Sequence, residues 1–301
     1  MYRSIRITRI IISLIAMAVP TVALVTGYDS VFVRMQILVA LLSGVALVLL
    51  FWAIVTIVYG RIYCSTVCPM GTLMDCVSAG SRLLRRRGRS YVYTTPSTRT
   101  RIIFLVLAIV SLFSGASLVT TILDPYTAYS RMVTELVMCP LGLAEPPARF
   151  ALAAMTLALS TALVVLVVAW RHGRLLCNTV CPVGTILGYG SRRSYFHIEI
   201  DPDKCINCGE CERVCKAQCI KLPQKSVDTS RCVVCFDCAA ACPNSAIQYK
   251  SGRFRLGMPM MQNLDVAAKA VKPEAPARTP SCCAATISKK TSRPESENGR
   301  G

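Results

Sequence analysis

Gly60-Arg61-Ile62-Tyr63-Cys64-Ser65-Thr66-Val67-Cys68-Pro69-Met70-Gly71-Thr72 recurs without a gap as Gly173-Arg174-Leu175-Leu176-Cys177-Asn178-Thr179-Val180-Cys181-Pro182-Val183-Gly184-Thr185. Every residue is displaced by the same interval (177 − 64 = 113). The chain therefore contains two copies of one unit, and what precedes each copy should correspond. It does, because two long apolar stretches lead into each. They run from Ile10 to Gly27 and Met35 to Tyr59, then from Ile102 to Leu123 and Phe150 to Trp170. A helix needs about 20 apolar residues to cross a bilayer. The unit is thus a pair of spans followed by a cysteine motif, repeated in parallel about an axis along the membrane normal.

The composition agrees. The 301 residues are 53% hydrophobic with a mean hydropathy of +0.49, and only 17% are charged, where a soluble domain carries about 25%. Basic residues in short loops mark the cytoplasmic side. Arg61, Arg82, Arg85, Arg86, Arg87, Arg89, Arg99 and Arg101 stand between spans two and three against the single acid Asp75. Arg131 and Arg149 on the next loop are offset by Asp124, Glu135 and Glu145. The arginine-rich loop and both termini are accordingly placed in the cytoplasm. The first stretch, preceded by Arg3, Arg6 and Arg9 and containing Ala16-Met17-Ala18, also has features of a signal peptide. Because the apolar run continues past Ala18, an uncleaved span kinked at Pro20 is expected. The net charge of +18 is a topology signal; no recognition module for nucleic acid accompanies it.

Seventeen cysteines and only two histidines direct attention to sulfur chemistry and away from haem ligation by histidine pairs. If the chain between them is helical, cysteines four apart project from one face. Cys64, Cys68, Cys177 and Cys181 then supply four thiolates at the inner membrane surface, a set fit for an iron–sulfur cluster or for zinc. Arg61 and Arg174, each three residues ahead, would offset the charge. Buried structural cysteines are the plainer alternative, and a single shared cluster is left open.

After Tyr195 the composition becomes that of a soluble domain. Cys205-x2-Cys208-x2-Cys211-x3-Cys215 is followed by Cys232-x2-Cys235-x2-Cys238-x3-Cys242-Pro243. This is the spacing of the bacterial two-cluster ferredoxin, in which the fourth cysteine of each run ligates the other cluster. One [4Fe–4S] cluster is assigned to Cys205, Cys208, Cys211 and Cys242, the other to Cys232, Cys235, Cys238 and Cys215. Zinc knuckles share Cys-x2-Cys but not the doubled pattern. Lys216 replaces the proline that stands at Pro243, loosening the first turn. Cys219 aligns with Ala246 at the internal offset (232 − 205 = 27) and is expected to pack rather than ligate. Phe196-His197-Ile198-Glu199-Ile200 alternates as a half-buried strand should.

Asp124-Pro125-Tyr126, with Tyr129 and Arg131, lies at the outer end of span three. It is a helix-ending turn or, more sharply, a polar pocket for a quinol headgroup. Ser114-Gly115-Ala116-Ser117 is a small-residue packing face, and Cys139 is structural or incidental. Beyond about Gly257 the chain lacks apolar periodicity and is expected to be disordered. The fold class is an α-helical membrane protein of four spans in two repeated hairpins, residues 1–194. An α+β two-cluster ferredoxin domain at 195–256 and a tail at 257–301 complete it.

Taken together, the four spans, the doubled Gly-Arg-x2-Cys-x3-Cys-Pro-x-Gly motif, Leu123-Asp124-Pro125 ahead of Arg131 and the C-terminal ferredoxin pattern resemble the NapH-type membrane polyferredoxins. These are related to the NosR-type and oxidase-assembly polyferredoxins. The resemblance implies a bacterial inner-membrane electron-transfer subunit that works between the quinol pool and a partner reductase, with other redox subunits and membrane lipid as its company. Quinone is then a substrate. A metal-reducing or metal-assembly factor for a copper enzyme, and a redox sensor, are the competing classes.

Overall fold

The structure, a computed structural model, describes residues 2–27, 31–84, 93, 97–114, 117–140 and 151–251. Residues Met1–Arg255 form one compact unit; the expected tail lies outside the described residues.

Among the described residues, two helices are long and apolar enough to cross a membrane, Tyr2–Thr26 and Leu152–His172. Their faces are sorted by size. Ser13, Ala16, Pro20 and Ala23 of the first helix are buried, as are Ala158, Ala162, Val165 and Ala169 of the other. The bulky side chains point outward, with Ile7 57%, Val22 58%, Leu152 82% and Leu163 62% exposed. A water-soluble protein gains about 1.5–3 kcal/mol by burying each such side chain; placing them outside and small residues inside is the packing of helices in lipid. The first helix continues through Pro20 without a break.

The other two apolar stretches are divided. Met35–Tyr59 forms the helices Ile37–Leu42 and Ala46–Tyr59, with Gly44 between them in the left-handed region at φ +71°. Only glycine enters that region at little cost, so the break is written into the sequence. Ile102–Leu123 falls into Thr98–Phe113 and Ser117–Leu123; Gly115 and Ala116 lie outside the described residues.

Each cysteine repeat is a helix–turn–helix. Gly60 (φ +83°) and Gly173 (φ +62°) open the two copies. Short helices follow, Tyr63–Thr66 and Leu175–Thr179, and then the helices Pro69–Leu84 and Pro182–Ser191. The expectation that Cys64 and Cys68, and likewise Cys177 and Cys181, share one helical face is corrected here. Proline has no N–H and suits only the first turn of a helix, so Pro69 and Pro182 start new helices and leave the preceding cysteine at the boundary.

The ferredoxin segment contains two small sheets. Strand Phe196–Ile200 forms where the alternation predicts it and pairs antiparallel with Ile247–Ser251, Phe196 opposite Ser251 and Ile200 opposite Ile247. Ile220–Lys221 pairs with Ser226–Val227. Short helices, Glu210–Val214 and Asp237–Ala241, follow the cysteine loops. This segment packs against the helical part. The Tyr195 N–H donates to the Ile57 carbonyl at 2.9 Å, the Tyr249 hydroxyl to the Tyr59 carbonyl at 3.0 Å, and Phe196 stacks on Tyr59.

Candidate metal centres

Left-handed residues recur in the two ferredoxin runs at the interval of 27 that separates their cysteines. Asn207 (φ +56°) matches Val234 (φ +51°), Gly209 (φ +76°) matches Phe236 (φ +59°), and Gln218 (φ +52°) matches Ser245 (φ +50°). Such residues turn successive N–H groups to one side, forming a nest that favours an anionic group such as an iron–sulfur cluster. A β-branched residue seldom enters this region, and strained backbone of that kind gathers at functional sites. Val234 therefore carries more weight than the glycine.

Cys205, Cys208, Cys211 and Cys242 line one recess, walled by Ile200, Leu222 and Ile247. The Ala246 N–H donates to Cys242 Sγ at 3.3 Å. In the other set, burial pushes the Cys238 thiol up, and the thiols of Cys235, Cys215 and Cys232 add to the effect. The Cys211 thiol of the first run adds a smaller effect in the same direction. Among the described residues, no three His, Cys, Asp or Glu gather as they would around a single metal ion. A four-iron cube separates its ligands more widely than one zinc ion, so the donor set and the walled recess fit a cluster.

Cys219 is buried with its Sγ 3.5 Å from Cys215 Sγ. Its thiol hydrogen bond holds Cys215 below the ordinary thiol range. Cys219 thus lies against two candidate ligands, Cys215 and Cys232.

One guanidinium reaches the first cysteine of both copies, Arg61 lying 3.9 Å from Cys64 Sγ and 3.5 Å from the Cys177 carbonyl. Burial pushes Cys68 up, with the thiols of Cys64 and Cys177 next in effect; Cys181 is raised by burial and then by Cys177, with smaller contributions from Cys64 and Cys68. Burial raises Cys177 to about 11 against the pull of Arg174, and its Sγ lies 3.4 Å from Met74 Sδ. Cys181 caps the helix it precedes, its Sγ accepting from the Gly184 N–H at 3.3 Å. The two arginines do more than balance charge locally. Both are fully buried, and each crosses to the opposite repeat. Arg61 also donates to Asn178 Oδ1 at 2.8 Å and to the Ser230 carbonyl at 3.0 Å, which ties both repeats to the ferredoxin segment.

A buried ion network lies between the membrane repeats and the second ferredoxin run. Asp75 receives Arg174 Nε at 2.7 Å, Lys216 Nζ at 3.0 Å and Arg9 Nη1 at 3.3 Å. Lys216 Nζ also meets Asp237 at 2.9 Å, and Asp237 meets Arg6 Nε at 2.8 Å. Burial alone would raise the Asp75 carboxyl, but Arg174, Lys216 and Arg9 outweigh it and hold the group well below the usual carboxylate range. Sequence reading did not find this network. It read Arg6 and Arg9 as the basic residues ahead of a signal-peptide-like stretch and took Lys216 as a loosened turn. The available signals were Asp75, the lone acid in an arginine-rich segment, and a lysine where the sister run has proline.

At the far end of the helices, Asp124 is the N-cap of Pro125–Val133 and accepts the Thr127 N–H at 2.8 Å. A helix N-terminus needs such an acceptor. The Tyr129 hydroxyl shares a 2.8 Å hydrogen bond with Thr21 Oγ1, Tyr126 is buried and Arg131 is half-buried. Cys139 lies 3.9 Å from Glu135 Oε2.

Comparison with known proteins agrees with this geometry. A 4Fe-4S binding domain family matches residues 40–87 and 154–198, one match over each cysteine repeat, and a second 4Fe-4S binding domain family matches 197–220. The ferredoxin-type protein NapH of Haemophilus influenzae is 26% identical over 184 residues, 60% of this chain and 56% of that protein. YccM of Escherichia coli, whose name assigns it to electron transport, is 23% identical over 180 residues, 58% of this chain and 47% of that protein. An uncharacterized protein of Methanocaldococcus jannaschii is 40% identical over 60 residues, 20% of this chain and 24% of that protein. The matches thus span between a quarter and just over half the length of these relatives. No solved structure matches. The chain carries 4Fe-4S binding domains of the ferredoxin class and is similar to ferredoxin-type and electron-transport proteins. Within that class it is similar to NapH over 56% of that protein, and among the described residues two long apolar helices point to a membrane protein.

Proposed function

We propose that the chain is the electron-transfer subunit of a quinol-dependent membrane oxidoreductase. In this reading it crosses the bacterial inner membrane four times, with both termini and all three cysteine sets on the cytoplasmic side. Residues 1–194 form the membrane part, 195–256 the ferredoxin part and 257–301 the tail. Cys205, Cys208, Cys211 and Cys242 hold one [4Fe–4S] cluster; Cys232, Cys235, Cys238 and Cys215 hold another. Cys64, Cys68, Cys177 and Cys181 hold a third. Bound clusters supply one-electron oxidation and reduction, while the chain positions them and tunes their potentials. Tyr126, Tyr129 and Arg131 contact the quinol headgroup, with Asp124 fixing the turn that carries them. A partner reductase or ferredoxin-like subunit exchanges electrons at the cytoplasmic side.

One observation carries the reading: three cysteines of the first run and the fourth of the second line a single recess. Iron and acid-labile sulfide counts on the anaerobically purified full chain test it. About twelve irons are expected, and about eight would remove the third cluster. Cys64→Ser or Cys177→Ser should lower the count without disturbing the other two. Quinol-dependent reduction of the clusters in proteoliposomes tests the substrate. Reduction of copper ions in place of quinol would favour a metal-reducing factor instead.

A further inference from the structure

The two ferredoxin runs share a backbone but not a charge environment. At the interval of 27, Lys216 corresponds to Pro243 and Asp237 to Glu210. Glu210 is partly exposed and pairs with its near neighbour Arg213. Asp237, by contrast, is 3% exposed and pairs with Lys216, itself 6% exposed. Lys216 directly follows Cys215, and Asp237 stands between Cys235 and Cys238, so both belong to the second cysteine set. Among the described residues, the nearly buried Arg9, Arg174 and Lys216 and the half-exposed Arg6 face two carboxylates, Asp75 and Asp237, leaving a surplus of positive charge beside that set. Among the described residues, Lys216 alone touches both carboxylates.

We propose that Lys216 is a positioning residue that makes the two ferredoxin clusters unequal, its ammonium, locked between Asp75 and Asp237, raising the potential of the cluster at Cys232, Cys235, Cys238 and Cys215 above that of its sister. The proposal rests on the two-cluster reading. Reduction adds one negative charge to a site already holding four thiolates. A fixed cation within a poorly screened interior favours that added charge, because Coulomb interactions there far exceed those in water. The sister set has a neutral proline at the same position, so its potential lacks this contribution. The electron consequently rests on the cluster beside Arg174, which also touches the first membrane repeat through the Cys64 carbonyl and Gly71 carbonyl. The order of the two clusters is thereby set by one side chain that departs from the repeat.

A redox titration of the full chain in detergent, followed by EPR, tests this, with iron counted on the same samples. Lys216→Met and Lys216→Pro should move one reduction wave to lower potential, by at least tenfold in the reduced-to-oxidised ratio, or about 59 mV for one electron. The other wave should move by less than a third as much. Lys216→Arg should keep the wild-type separation, as a side chain that merely fills space would not require. Equal movement of both waves, or no movement in variants with a full iron count, overturns the proposal. Loss of iron from Lys216→Met and Lys216→Pro with the remaining potentials unmoved also overturns it and makes the residue structural. A wild-type iron count below about eight instead overturns the two-cluster reading on which the proposal stands.

Discussion

Arg174 of the second repeat donates to the Cys64 carbonyl of the first at 2.7 Å, and Arg61 of the first approaches the Cys177 carbonyl of the second at 3.5 Å. The exchange follows the internal repeat residue for residue. It makes neither copy complete alone, since the loop that bears each first cysteine is held by a guanidinium from the other copy. Gly71 and Gly184 allow this approach, because a methyl group at either would lie well inside van der Waals contact with the same carbonyl oxygens.

Gly71→Ala and Gly184→Ala should therefore be costly. The obstacle is backbone and cannot rotate away, so a loss of about 1–3 kcal/mol is expected. Gly80, on the helix that begins two residues before Gly71, has nothing within 4 Å of an added methyl group, and Gly80→Ala should gain up to about 1 kcal/mol from helix propensity. Thermal loss of helical circular dichroism in detergent compares the three. Equal stability of Gly80→Ala and Gly184→Ala would refute the close approach.

The Asp75 network makes stability depend on pH in a defined sense. The folded carboxyl lies below its unfolded value of about 3.9, so its stabilisation is complete above that pH and is lost as pH falls through the folded value. At pH 7, Asp75→Asn should cost about 3–5 kcal/mol by leaving buried cations uncompensated. The gap between variant and wild type should close only in strong acid. Denaturant titrations of both proteins from pH 7 down to pH 2 would show it, and a gap that widened on acidification would contradict the ion pairing.

Asp124 is engaged as a helix cap. Asp124→Ala should cost about 1 kcal/mol, while Asp124→Ser, which preserves the acceptor, should restore most of it. Quinol-dependent reduction should survive Asp124→Ser. If that variant folds as the wild type yet loses quinol turnover, the carboxylate itself takes part in the chemistry.

Cys219 packs against Cys215 where the sister run has Ala246. Cys219→Ala should leave the iron count unchanged and cost less than about 1.5 kcal/mol. Loss of four irons would make it a ligand.

Much of this protein is legible in its sequence because it is local. Cysteine spacing fixes the ferredoxin loops, the alternation over Phe196–Ile200 fixes a strand, and Pro69 and Pro182 fix where helices begin. The apolar stretches announce hydrophobic helices but not their continuity; Gly44 interrupts the second at a position whose backbone angle no composition average reveals.

What the sequence determined by itself was the chemistry: sulfur donors in two ferredoxin runs and a doubled motif at the end of apolar hairpins. These follow from spacing along the chain, which local geometry converts directly into shape. The tertiary structure alone decided which charges meet. Asp75 finds Arg9, Arg174 and Lys216 from three distant parts of the chain, and two arginines that precede their own cysteines serve the cysteines of the other copy. A buried charge takes its partner from whatever the fold brings within a few ångströms, and no pattern in sequence spacing encodes that choice.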